Sequence, residues 1–316
     1  MTHLQPVDRS TQPPVPESTA LPAGSAAAAA TAASWNERFP EDHLVVVPQR
    51  HPGRWAVAAV LIVLAVLFLR LVVTNENFGW PTVSHYLFDA TILSGVWMTV
   101  WLTIVTMLLG VVLGVLLAVM RLSRNPLITG ASASFIWFFR GTPVLVQLIF
   151  WYNLAILFPQ VSLSIPFGPT LFQASTNDLI TPYVAAILGL GLNEAAYMAE
   201  IVRAGIASVD DGQQEAARAL GMRERRVTAR IVLPQAMPFI IPPTGNETIG
   251  MLKMTSLVSV ISLSDLLYSA QTIYSRTFET IPLLMVACTW YLLATSVLSL
   301  LQRRIERHFN KSRRTP

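Results

Sequence analysis

Long apolar runs separated by short polar stretches set the pattern of the chain. From Ala56 onward they fall at roughly 56–73, 92–120, 143–158, 182–203, 236–262 and 281–301. A helix needs about 20 largely apolar residues to cross a bilayer. The pattern therefore predicts an all-α, polytopic membrane protein with about six spans. The run at 92–120 is long enough to tilt strongly or to project from the membrane. The run at 143–158 is short by itself, but the aromatic stretch 132–139 before it can lie along the interface. Residues 1–34, rich in Pro, Ala, Ser and Thr, show no apolar periodicity and cannot bury enough surface to offset the entropy of ordering. They predict a disordered tail that reaches to about residue 50. The alanine run 26–30 has no leucines and no basic stretch before it, so it is not a signal-peptide core.

Composition sharpens this picture. Of the 316 residues, 53% are hydrophobic and only 13% charged, about half the charged share of a soluble domain. Much of the surface must therefore meet lipid. The net charge of +4 is not a nucleic-acid face, because the arginines sit in short clusters between apolar runs. They precede the first run (Arg50, Arg54), follow the second (Arg121, Arg124), fill the interval after the fourth (Arg203 to Arg230) and follow the last (Arg303 to Arg314). The alternate intervals 74–91 and 159–181 hold no Lys or Arg, and 263–280 holds only Arg276. Six spans with both termini cytoplasmic satisfy the positive-inside rule at every loop. Cys288, the single cysteine, lies in an apolar run, permits no intrachain disulfide and reads as a small buried hydrophobe.

The interval 206–231 has its own chemistry. Asp210 or Asp211 can cap a helix, with Gln213 or Gln214 completing a capping box. The helix would cover 212–220, and Gly221 stands where a left-handed C-terminal cap is wanted. Ala216, Ala217 and Ala219 keep it slim enough to enter a groove on a partner, Glu215 offers a charge, and the following arginines anchor the next segment at the membrane surface. A plain connector helix fits the same residues.

Glu215-Ala216-Ala217, then Gly221, then Ile231, Leu233 and Pro234 resemble the EAA loop of ABC-importer permeases in order and spacing. The wider string is similar to the polar amino acid permeases of the histidine, glutamine and arginine importer type. Further blocks agree: Arg140-Gly141-Thr142-Pro143 with Gln147, Tyr197 with Glu200 and Arg203, Asn246, and Lys253 with Thr255-Ser256-Leu257. The resemblance covers roughly 90–308. It implies a type I ABC importer permease fold of five core spans over 91–308, coupling loop 206–231 included. An extra N-terminal span and outer loop at 51–90 precede it, and a basic tail at 309–316 follows. Met254 stands where the family commonly has an acidic or polar residue, so substrate identity is not carried over from that block.

The resemblance also implies partners: an ABC ATPase dimer, a second permease copy or a paralogue, and an extracytoplasmic solute-binding protein, all at a bacterial cytoplasmic (inner) membrane. Gln214, Glu215, Ala216, Ala217, Leu220 and Gly221 would dock the ATPase. The sequence has no phosphate-binding glycine loop with its lysine, so ATP would act through the partner. No catalytic residue, metal ligand or bound cofactor is assigned to this chain. Charged and polar side chains within spans are costly and mark candidate pathways. Asn193, Glu194, Tyr197, Glu200, Asn246, Glu247 and Lys253 qualify here. Glu200 and Arg203 share a helix face, which suits a structural bridge as well as a substrate contact. Pro234, Pro238, Pro242 and Pro243 predict a kinked or broken start to the fifth span. Arg140 is expected at the inner boundary, holding headgroups or a helix end. The function implied is import of a polar amino acid by alternating access. A secondary amino acid transporter working without an ATPase and a membrane scaffold are the alternatives.

Overall fold

The computed structural model describes residues 52–164 and 170–310; the expected tail before residue 50 and the last six residues lie outside it. Chain contacts divide the protein after Leu69. Helix α1 (Pro52–Thr74) lies mostly in the first unit, is apolar on every side, and buries none of its described residues. Such a helix has no face for a protein core, and its natural solvent is hydrocarbon.

In the second unit, α2 (Trp80–Tyr86) leads to α3 (Ala90–Arg121). Then come α4 (Pro126–Gly141), α5 (Val144–Tyr152) and the single turn α6 (Leu154–Leu157). A two-stranded antiparallel hairpin, β1 (Gln160–Ser164) and β2 (Thr170–Ser175), precedes the short α7 (Thr176–Leu179). Helix α8 (Pro182–Ala207) is followed by α9 (Asp211–Ala219) and α10 (Glu224–Val227), then a π-turn at Thr228–Val232 and α11 (Leu233–Met254). A 3-10 stretch at Thr255–Ile261 leads to α12 (Leu266–Thr277), and α13 (Thr280–Asn310) ends the described chain. Among the described residues, four helices are long and apolar enough to cross a membrane. There are six spans if each of two bent helix pairs counts as one.

As the short third run suggested, the aromatic stretch before it forms a helix of its own, α4, which meets α5 at 100°. Three expectations need correction. The prolines do not break the fifth span: α11 runs unbroken through Pro238, Pro242 and Pro243, because proline's φ is already helical and only its missing hydrogen bonds must be tolerated. The chain turns later, where Ser262 takes a left-handed φ of 58° and the pair bends by 46°. The interval read as an outer loop at 263–280 is thus largely α12. Cys288, expected inside, is exposed on α13.

The core is a seam between α3 and α8. Gly110 and Gly114 of α3 lie against Glu194 and Met198 of α8, so close that a Cβ on Gly114 would sit 2.5 Å from Met198 Cβ and 3.0 Å from Ala195 O. In lipid, helices associate through such close backbone approach of small residues. At one end of the seam, buried Asp265 caps α12 by accepting from the Leu267 and Tyr268 amides at 3.2 and 2.9 Å, and it also accepts from Tyr291 Oη at 3.2 Å. The Leu266 amide donates to Thr99 Oγ1 at 3.1 Å, which ties α12 to α3.

The corner between α4 and α5 is held by side chains. Gln147 Nε2 donates to Phe139 O (3.1 Å), Thr142 O (3.1 Å) and Thr142 Oγ1 (2.7 Å), and Asn193 Nδ2 reaches Phe139 O from α8 at 2.6 Å. Helix ends leave carbonyls open, and buried ones must find donors. Gln147→Leu is expected to lower stability by about 1–3 kcal/mol, the cost of orphaned buried acceptors. The check is the thermal midpoint of the purified protein in nanodiscs, where an unchanged midpoint contradicts this account of the corner.

Candidate functional site

The loop between α8 and α11 folds as a capped, closed handle. Asp210 is the N-cap of α9, its Oδ1 accepting from the Gly212 amide at 2.8 Å. The expected capping box is replaced by a different contact, Gln214 Nε2 on Asp211 Oδ1 at 3.5 Å. At the other end Gly221 takes a φ of 75°. Its amide donates to Arg218 O (2.9 Å) and the Met222 amide to Ala217 O (3.2 Å), the paired bonds of a Schellman closure. Ala217 and Met222 pack into one cluster with Val227 and Val232, which seats the handle on the helices behind it. Arg218 Nε bridges to Glu224 Oε1 at 2.8 Å across the turn. The hydrogen bond from this guanidinium holds the Glu224 carboxyl below the usual carboxylate range, but the pair is exposed and adds little stability.

The handle shows Glu215, Ala216, Ala219 and Gly221 outward, with Leu220 at its tip 84% exposed. Of the six residues expected to dock a partner, Glu215, Ala216, Leu220 and Gly221 are exposed and Gln214 is half-buried. Ala217 faces inward and belongs to the support.

A polar cleft of about 590 Å³ opens between α4, α8 and α11, lined by Arg140, Tyr197, Glu200, Ile201, Phe239 and Glu247 among others. Glu200 is engaged by Arg203 on its own helix, Nη2 to Oε2 at 2.8 Å and Nε to both oxygens at 3.1–3.2 Å. The Arg140 guanidinium lies over the Tyr197 ring, 5.1 Å from its centroid.

The structure brings together three of the seven expected pathway residues, Tyr197, Glu200 and Glu247. Asn193 serves the α4–α5 corner. Glu194 is buried against Gly110, and its Oε1 has no hydrogen-bond partner among the described residues. Asn246 accepts from Gln302 Nε2 of α13 at 3.0 Å, and Lys253 is exposed outside the cleft lining. Arg140, expected at the inner boundary to hold headgroups or a helix end, also lines the cleft. Its signal in the sequence was its place directly before a Gly-Thr-Pro helix end, where a sharp turn can throw a side chain inward.

Residues 110–311 match the family of binding-protein-dependent transport system inner membrane components. The chain belongs to this family. It is the permease subunit of an ABC importer, and the resemblance drawn from the EAA loop holds. Relatives include the arginine transport system permease protein ArgU of Corynebacterium glutamicum, 49% identical over 84% of this chain and 82% of that protein. The glutamine transport system permease protein GlnP of Escherichia coli is 35% identical over 55% of this chain and 72% of its own. Among solved structures, an amino acid ABC transporter crystallised with histidines matches with a TM-score of 0.61 at 36% identity, over 71% of this chain and 97% of that one. The inward-facing methionine transporter MetNI, at 18% identity and a TM-score of 0.52, covers 69% of this chain and 95% of its own, and shares the fold. The family match begins at residue 110, within α3. Inner-membrane permeases of this family work with ATPases and binding proteins, so a self-contained secondary transporter is no longer a competing reading.

Proposed function

We propose that this permease imports a polar amino acid with a cationic side chain, driven by a separate ATPase dimer that grips the α9 handle. The observation that carries the reading is the cleft, where one arginine and two carboxylates surround a space suited to a small zwitterion. Its 49% identical relative is an arginine permease by name, which supports the side-chain class. Asn193, Glu194, Asn246 and Lys253 belong to the wider pathway in this reading, entering as the halves rock between inward- and outward-facing states. Gln214, Glu215, Ala216, Ala217, Leu220 and Gly221 form or support the ATPase face. The permease pairs with a second copy or a paralogue, receives solute from an extracytoplasmic binding protein, and keeps both termini in the cytoplasm. It binds no cofactor itself; ATP acts through the partner.

The test is reconstitution of the permease with its ATPase and binding protein in liposomes. Labelled L-arginine should accumulate with ATP inside the ATPase compartment and stop when a non-hydrolysable analogue replaces it. Uptake without the ATPase, or none of any polar amino acid with it, would end this reading.

A further inference from the structure

The block Arg140-Gly141-Thr142-Pro143 with Gln147 takes its meaning from the α4–α5 corner. Because Gln147 and Asn193 hold Phe139 O and Thr142 in place, the last turn of α4 is fixed against α8 and Arg140 is aimed at Tyr197. A cation over an aromatic face is attracted to the ring without spending its N–H donors. Arg140 accordingly keeps its whole fork: among the described residues it makes no hydrogen bond or ion pair. Glu200 in the same cleft is already occupied by Arg203. Glu247, the other carboxylate of the lining, stands within electrostatic reach of Arg140 and has no ion-pair partner among the described residues.

A guanidinium held over a ring with its donors free is a carboxylate receptor, because its parallel N–H groups match the two oxygens. We propose that Arg140 is the specificity-determining residue that reads the α-carboxylate of the transported amino acid, with Glu247 on the facing helix receiving its α-ammonium. This inference rests on the amino acid reading above and extends it to the end of the substrate common to all amino acids, leaving the side chain to the remaining walls.

The permease–ATPase complex in nanodiscs, without binding protein, tests it through equilibrium binding of labelled L-arginine in competition with L-argininamide, which lacks only the carboxylate charge. The parent should prefer the acid by on the order of tenfold or more, the range of a charge-assisted pair. Arg140→Gln should bind acid and amide alike, with affinity for the amide unchanged. Arg140→Lys, keeping charge but losing the fork, should show an intermediate preference, and it decides the matter if the glutamine variant does not fold. Undiminished preference in either variant overturns the assignment. So does a parent that binds arginine without distinguishing the amide, an outcome that leaves the amino acid reading standing. A parent that binds neither compound and imports no amino acid removes both.

Discussion

Leu220→Asp is expected to insert and fold like the parent and to lose ATP-driven uptake by tenfold or more. The side chain is 84% exposed at the tip of the handle. No bond that shapes the handle involves it. The cap belongs to Asp210, and the closure runs between backbone groups of Ala217, Arg218, Gly221 and Met222. Under the docking proposed above, this exposed leucine with no structural duty is the side chain that enters the ATPase groove. Burying it there is worth about 1.5–3 kcal/mol, and an unpaired aspartate in its place adds a desolvation penalty. Co-purification of the ATPase and uptake should therefore fall together while the permease's own thermal midpoint stays put. Leu220→Met, similar in volume and also apolar, should retain most activity. Full uptake by the aspartate variant would move the docking face elsewhere.

The handle could be read from sequence because capping is local: Asp210 and Gly221 act on atoms within a few residues of themselves. The spans were legible for a related reason, since hydrocarbon demands a length of apolar helix whatever the tertiary fold. Legibility fails where distant groups decide. Pro143 says that α4 must stop before it, but the 100° turn is set by Gln147 and by Asn193, which bonds Phe139 from 54 positions away. Polar residues in α8 all looked like pathway candidates by the same argument, that polarity in a span is costly. Asn193 meets that cost by repairing a helix end, and only Tyr197 and Glu200 turn toward the cleft. The prolines of α11 misled because local rules treat them as breakers, whereas the packed helix runs through them and turns at Ser262.

Gly114→Leu should do what Leu220→Asp does not, and remove the folded permease altogether. At Gly114 even a Cβ would lie 3.0 Å from Ala195 O and from Ala199 N, and 2.5 Å from Met198 Cβ. Backbone atoms of a packed helix cannot swing aside, so α3 and α8 must separate along the seam that carries the core. One or two extra methylenes in a filled core cost about 1–3 kcal/mol, and a whole isobutyl group at a backbone contact exceeds that. Gly110 offers a graded comparison, since the nearest atom there is Glu194 Cγ, part of a longer side chain with rotamers to spare. Gly110→Ala should therefore lower the thermal midpoint less than Gly114→Ala. Gly130→Leu is the control, because nothing lies within 4 Å of a Cβ at that position. The measurements are the yield of monodisperse permease and its melting in nanodiscs. A Gly114→Leu protein that melts like the parent would mean that the α3–α8 seam is not what holds the cleft's walls in place, since Tyr197 and Glu200 reach the cleft from the same helix that Gly114 packs against.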